Sequence, residues 1–355
     1  MTTNGHMNGH SNGHSNGHNG HGNGYTSGDV SLRETSPGSS PGPLSPAHRA
    51  AYEADLRRQI EALKAQRHAI ILAHNYQEGR IQDIADFVGD SLGLAQKAKA
   101  TDAEVIVFAG VHFMAETAAM LCPDKTVLIP DTGAGCALAD MVIPPQIRAW
   151  RKEHPNGVVV CYVNTAAAVK AECDYCVTST NGIKVIEHIP ADKEILFVPD
   201  YYLGSYLKAK TKRNIHLWKG YCPAHAAILP EQVDVLRERH PDAEFLMHPE
   251  CGCTTKQMHL ADAVLSTEGM VRHVERSPAR EFIIATETGL MHRLQQTHPE
   301  KTFYAASEHA GCQYMQRNTL EKVLLSLSRM QHRVTVPPKI AARAVVPIER
   351  MLAIV

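Results

Sequence analysis

Short β-branched runs alternate with longer helical stretches along most of this chain. That alternation restricts it to parallel sheets covered by helices on both faces. The runs are Ala69–Ala73, Val105–Ala109, Thr126–Ile129, Val158–Tyr162, Ile195–Val198, Glu244–Met247, Glu281–Ala285 and Thr302–Ala305. They are continuously apolar rather than alternating, as strands buried on both faces are. Helical patterns lie between or beside them, at Ala51–Gln66, Ile81–Lys99, Phe113–Leu121, Pro144–Glu153 and Asn318–Met330. No internal sequence repeat is evident, but three α/β units of similar size fit after residue 47.

Residues 1–47 are of another kind. His6, His10, His14, His18 and His21 recur in a Gly/Asn/Ser background, followed by a Pro/Ser-rich stretch. Such a segment has too little apolar surface to offset its ordering entropy, so we expect a disordered, solvated tail. Removing residues 1–45 is expected to leave melting temperature and turnover unchanged; a clear drop in either would give the histidines a further role. The chain as a whole is ordinary for a soluble protein, with 44% apolar and 21% charged residues. A net charge of −1 supplies no field that would draw it to nucleic acid or anionic membrane. No apolar run approaches the roughly 18–20 residues that span a bilayer, and nothing reads as a secretory signal. We therefore expect a cytoplasmic protein with neither nucleic acid nor membrane as partner. Nine cysteines in that setting point to metal binding or redox chemistry rather than to a disulfide framework.

Ligands of open parallel sheets bind beyond the carboxyl ends of the strands. His74-Asn75-Tyr76, Tyr162-Val163-Asn164 and His248-Pro249-Glu250-Cys251 fall at such ends. Core packing does not explain them, and they read as a shared site. Among the cysteines, Cys136, Cys222 and Cys312 lie in loops shortly after a glycine, as suits backbone that approaches a bulky group. Cys122 and Cys161 read as buried residues. Cys173-x-x-Cys176 and Cys251-x-Cys253 are too far apart for the usual four-ligand zinc pattern. Spacing alone does not choose among these cysteines, although the loops favour the first three.

The motifs together resemble one family, quinolinate synthase, from about Ala69 to about Leu327. The matching stretches include Ala73-His74-Asn75-Tyr76-Gln77, Gly89-Asp90-Ser91-Leu92, Gly133-Ala134-Gly135-Cys136, Tyr162-Val163-Asn164-Thr165 and Val169-Lys170-Ala171-Glu172. They continue through Thr178-Ser179, Trp218-x-Gly220-x-Cys222, His248-Pro249-Glu250-Cys251 and Cys312-x-x-Met315. Each is weak alone; their common order in one chain is specific. Three departures stand out. The stretch from Cys251 to Asp262 is about two residues longer than is common and carries Cys253. The family's Gly-Ser-Thr reads Leu265-Ser266-Thr267, and Pro223-Ala224-His225 replaces a valine before the histidine.

The resemblance implies an α/β fold of three αβα sandwich domains with parallel sheets around a pseudo-threefold axis. The expected domains are 48–140 (with 325–355 packing on it), 141–225 and 226–324. It also implies one [4Fe–4S] cluster per subunit, held by Cys136, Cys222 and Cys312 and leaving one iron open. Such an iron polarises a leaving hydroxyl as a Lewis acid. This suits condensation of iminoaspartate with dihydroxyacetone phosphate to quinolinate, with loss of phosphate and water, in NAD biosynthesis. The enzyme that supplies iminoaspartate is a candidate partner. Glu250 is the expected general base, with Tyr76, Tyr162, His74 and His248 moving protons. Ser91, Asn164, Ser179, Ser266 and Thr267 are expected to bind substrate with them. His112 and Glu116, an i, i+4 pair, are left out. Two other readings compete: a different [4Fe–4S] hydro-lyase with an open iron, and a metal-binding or thiol-redox protein built on the His-rich tail and Cys173-x-x-Cys176.

Overall fold

Every expected apolar run is a strand, and the strands assemble into three parallel sheets. The computed structural model describes residues 45–354, so the expectation of a disordered tail falls on residues 1–44, outside the described residues. The first sheet joins β1 (Ala69–His74), β2 (Phe87–Gly89), β3 (Val105–Ala109) and β4 (Thr126–Leu128) in the order β2-β1-β3-β4. The second joins β5 (Val158–Tyr162), β6 (Tyr175–Val177), β7 (Ile195–Val198) and β8 (Ile215–Leu217) in the order β6-β5-β7-β8. The third joins β9 (Glu244–Met247), β10 (Ala263–Val264), β11 (Glu281–Ala285) and β12 (Thr302–Ala305) in the order β10-β9-β11-β12. The inner strands are buried on both faces by helices. The fold is thus α/β with three αβα sandwiches.

Four strands were not expected from the sequence: β2, β6, β8 and β10. Each has three residues or fewer and lies at a sheet edge, so pairing to a neighbour rather than its own pattern makes it a strand. The expected helix Ile81–Lys99 is correspondingly broken into Gly79–Gln82, β2 and Ser91–Ala100. Asp90 restarts it, its carboxylate accepting from the Gly93 backbone N–H at 2.9 Å.

The three sheets share one device that the linear sequence conceals. Asp86, Asp174 and Asp262 recur at equal spacing, each just before an edge strand. Their carboxylates accept from the backbone N–H groups of Ile71, Val159 and Phe245 at 2.7, 2.8 and 2.7 Å. Their own N–H groups donate back to the carbonyls of the same residues. Each aspartate therefore clamps the edge strand to the start of the strand beside it. The three α/β units expected from the sequence are thus copies of one unit, sharing strand order, clamp and site positions, although no sequence repeat is evident among them.

Residues 325–355, expected on the first domain, divide between the first two sheets, with Arg333 and Val334 pairing to β4. Leu320–Arg329 does pack against Pro46–Arg67 and β3 of the first sheet. The last helix, Pro338–Ala353, instead lies mainly against β6 and the helix Ala167–Lys170 of the second sheet. The reason is polar. Buried Asn181 donates to the carbonyls of Met351 and Ile354, both at 2.8 Å, and Arg350 donates to the carbonyl of Asp174 at 2.6 Å. Arg350 also covers the Tyr175 ring, and Arg343 pairs with Glu172 at 3.0 Å. Asn181→Ala leaves the buried Met351 carbonyl and the part-buried Ile354 carbonyl without their donor and is expected to cost about 1–3 kcal/mol in chemical denaturation, with faster amide exchange in the last helix. Among the described residues no helix is long and apolar enough to cross a membrane.

Candidate functional site

The carboxyl ends of the strands surround one cavity of about 60 Å³. Because the units repeat, equivalent positions meet there. The last residue of β1, the last of β5 and the first after β9 supply His74, Tyr162 and His248. Two residues further on come Tyr76, Asn164 and Glu250. Ser91, Ser179 and Thr267 follow the three clamp aspartates at one common offset, and Cys136, Cys222 and Cys312 sit in the loops after β4, β8 and β12. All twelve line the cavity.

Two of the cysteine loops are held by carboxylates. Asp131 accepts from Gly133 N–H at 2.6 Å ahead of Cys136, and Glu287 accepts from Cys312 N–H at 2.8 Å. Asp200, fully buried, caps the helix Tyr201–Thr211 through Leu203 N–H at 2.7 Å. The glycines near these cysteines have more particular reasons than the sequence suggested. A side chain at Gly220 would meet the Pro199 carbonyl at 2.4 Å, so that loop closes only with glycine. At Gly135 the nearest atom would be 3.8 Å away, and space alone does not demand glycine there.

A hydrogen-bonded network spans the cavity. Tyr162 donates from its hydroxyl to Glu250 Oε2 at 3.1 Å, and His248 Nδ1 lies 3.4 Å from the same oxygen. Tyr76 Oη meets Thr286 Oγ1 at 2.6 Å and His225 Nε2 at 3.1 Å, while His225 Nδ1 lies 3.2 Å from Cys222 Sγ. His248 Nε2 meets Ser179 Oγ at 3.2 Å. Lys170, fully buried, donates to the carbonyls of Val163 and Thr165 and so fixes the turn that carries Asn164. Glu116 accepts from Ala167 N–H at 2.9 Å, holding the start of the same short helix.

Burial dominates the electrostatics. It lowers His74 and His225 to about 3, His225 adding to the effect on His74, and it takes His248 well below its ordinary range. The imidazoles are therefore neutral. Burial, with Asp200 second, pushes Glu250 well up, and the Tyr162 hydroxyl partly offsets this. Glu287 is raised to about 7 by burial against the pull of its two backbone donors. Burial first pushes Cys136 up to about 12, with Cys312 and Glu250 adding to it; Cys222 rises by burial, Glu250 and the other two thiols, and Cys312 by burial, Glu287 and Glu250.

No Lys or Arg lines this cavity among the described residues. Three buried thiols and several carboxyls therefore face one another without a cation, and Glu250 Oε1 and Asn164 Oδ1 are buried without a hydrogen-bond partner. A cationic iron–sulfur core fits such a donor set, since it would let the thiols ionise and engage the orphaned oxygens. Cys222 Sγ, a His225 nitrogen and a Glu250 oxygen also lie within 4.8 Å of one another.

Ser266 is the expected residue that the cavity lacks. Its hydroxyl caps the helix Thr267–Arg276 by accepting from Gly269 N–H at 3.1 Å and meets Thr180 Oγ1 at 2.9 Å, so it is already used. Leu265, in place of glycine, keeps ordinary backbone, since positive φ among non-glycine residues occurs elsewhere. Cys251 and Cys253, both buried, are joined by a local disulfide. Cys161, Cys173 and Cys176 group away from the cavity, the thiol of Cys161 within hydrogen-bond reach of the other two. His225 and Glu287 line the cavity but were missed. Glu287 follows β11, and the rule about strand ends that found His74 would have found it.

Comparisons with known proteins place relatives beside this chain. A family model described as Quinolinate synthetase A protein matches residues 58–353. The chain is 53% identical to the quinolinate synthase of Thermus thermophilus over 301 residues, covering 84% of this chain and 97% of that one. It is 52% identical to that of Pyrobaculum aerophilum over 302 residues (83% and 98%). It is 50% identical to that of Methanosarcina barkeri over 302 residues (85% and 98%).

Proposed function

The chain belongs to the quinolinate synthase family, an enzyme family of NAD biosynthesis, and we propose that its cavity condenses iminoaspartate with dihydroxyacetone phosphate. The observation that carries this reading is the convergence of one cysteine, one hydroxyl and two strand-end groups from each of three sheets on one buried cavity. Cys136, Cys222 and Cys312 would hold a [4Fe–4S] cluster, whose fourth iron would act as a Lewis acid toward a leaving hydroxyl.

The chain's own residues then divide the work. Ser91, Ser179, Thr267 and Asn164 offer neutral hydrogen bonds to carboxylate and phosphate oxygens. Glu250 takes a proton from carbon at Oε2, where burial makes its carboxylate a stronger base and Tyr162 orients it. Tyr76, backed by His225 and Thr286, can return a proton to oxygen. His74 and His248, neutral because they are buried, accept or donate hydrogen bonds without adding charge. Closure of the site by buried side chains keeps water from hydrolysing the imine.

The test is anaerobic incubation of the iron-loaded protein with dihydroxyacetone phosphate and freshly generated iminoaspartate. Quinolinate should form with one phosphate released for each ring closed, as the reaction's balance requires. Phosphate release without quinolinate, or no turnover by fully loaded protein, would defeat the assignment.

A further inference from the structure

At the opposite end of the second sheet, beside the amino ends of β5 and β7, His154, Glu194 and His216 converge. His154 Nδ1 lies 2.7 Å from Glu194 Oε2, His216 Nε2 lies 3.8 Å from the same oxygen, and the three donor atoms fall within 4.8 Å of one another. His216 Nε2 is buried yet has no hydrogen-bond partner. A buried ring nitrogen turned toward a carboxylate it does not bond leaves a gap that a small cation would fill.

The backbone around this cluster is rigid. His154 closes the helix Pro144–Glu153, its N–H donating to the Trp150 carbonyl at 3.0 Å. Its ring stacks on Trp150, with centroids 4.4 Å apart, and Trp150 fits only because Gly157 has no side chain. Glu194 is tied to β5 through Val158 N–H, at 2.8 Å, and His216 is the middle residue of β8, in register with Leu196. Three separate segments thus present donors that need little movement to bind.

We propose that His154, Glu194 and His216 form a second metal site, for a divalent cation of the zinc class, separate from the catalytic cavity. Two imidazoles and one carboxylate are a donor set zinc accepts, with water in the fourth position. Metal–ligand bonds of about 2.0–2.1 Å place tetrahedral donors about 3.3 Å apart, between the two separations present here. The ion would join the end of a surface helix to the edge of the second sheet.

The test is equilibrium dialysis of the full-length, cluster-loaded protein against micromolar zinc, followed by metal analysis. Full-length protein keeps the N-terminal histidines in every sample, so their contribution cancels between variants. The wild type should retain one zinc per chain more than His216→Ala and more than Glu194→Gln. Glu194→Gln keeps a side-chain oxygen toward His154 and guards against a folding defect in the histidine variant. Equal zinc in the wild type and Glu194→Gln, with the iron content of both unchanged, would overturn the proposal.

Discussion

Glu250→Gln is expected to lower turnover by about 100- to 10,000-fold, the range lost when a general base is removed, and to leave iron content unchanged. Glutamine keeps the size of the side chain and an oxygen to accept from Tyr162, now at 3.1 Å from Oε2. What it removes is a proton acceptor. The residue is 2% exposed, so water cannot readily take its place. Iron content holds because no thiolate is touched, and substrate affinity should change much less than rate, since only the proton acceptor is lost. A variant with full iron content and turnover within about threefold of wild type would sink the assignment. The proton would then go to Tyr76, Tyr162 or a histidine, and Glu250 would only position the substrate.

Replacing Cys136, Cys222 or Cys312 by Ala takes iron from about four per chain, the cluster's own stoichiometry, to near zero and abolishes activity. With three protein ligands for four irons, losing one leaves two irons unanchored. Ser at Cys173, Cys176 or Cys253 should leave iron near about four, because those residues lie off the cavity lining. The chain should stay folded in every case, since the loops of Cys136 and Cys312 are held from their backbone by Asp131 and Glu287, and that of Cys222 by the bond from Tyr201 N–H to the Gly220 carbonyl, rather than by the sulfur. Iron lost on changing Cys253 but kept on changing Cys222 would overturn the ligand set.

Much of this was legible in the chain because it rests on local pattern. The long apolar runs are strands since both of their faces are covered, and polar residues at their ends face the cavity as parallel-sheet geometry requires. The short edge strands were hidden: β10 has two residues, and only its pairing with β9 defines it. The internal repeat was hidden for a related reason. Asp86, Asp174 and Asp262 are followed by Phe-Val-Gly, Tyr-Cys-Val and Ala-Val-Leu, sharing little beyond a fit to a buried edge. A serine before a helix reads equally as a cap and as an anion ligand, and the Ser266 hydroxyl makes the cap. His225 was passed over because nothing in Pro223-Ala224-His225 shows that it reaches Tyr76, Thr286 and Cys222 at once.

The central claim is a cluster held by three thiolates with one iron left for substrate. Mössbauer spectroscopy of ⁵⁷Fe-loaded protein, with and without a dicarboxylate substrate analogue, tests it most directly. The account predicts four irons per chain, as the cluster type requires, with one changing its isomer shift and quadrupole splitting on binding while the other three stay as they were. Four irons that remain alike with the ligand bound, as in a fully thiolate-ligated cluster, would contradict it.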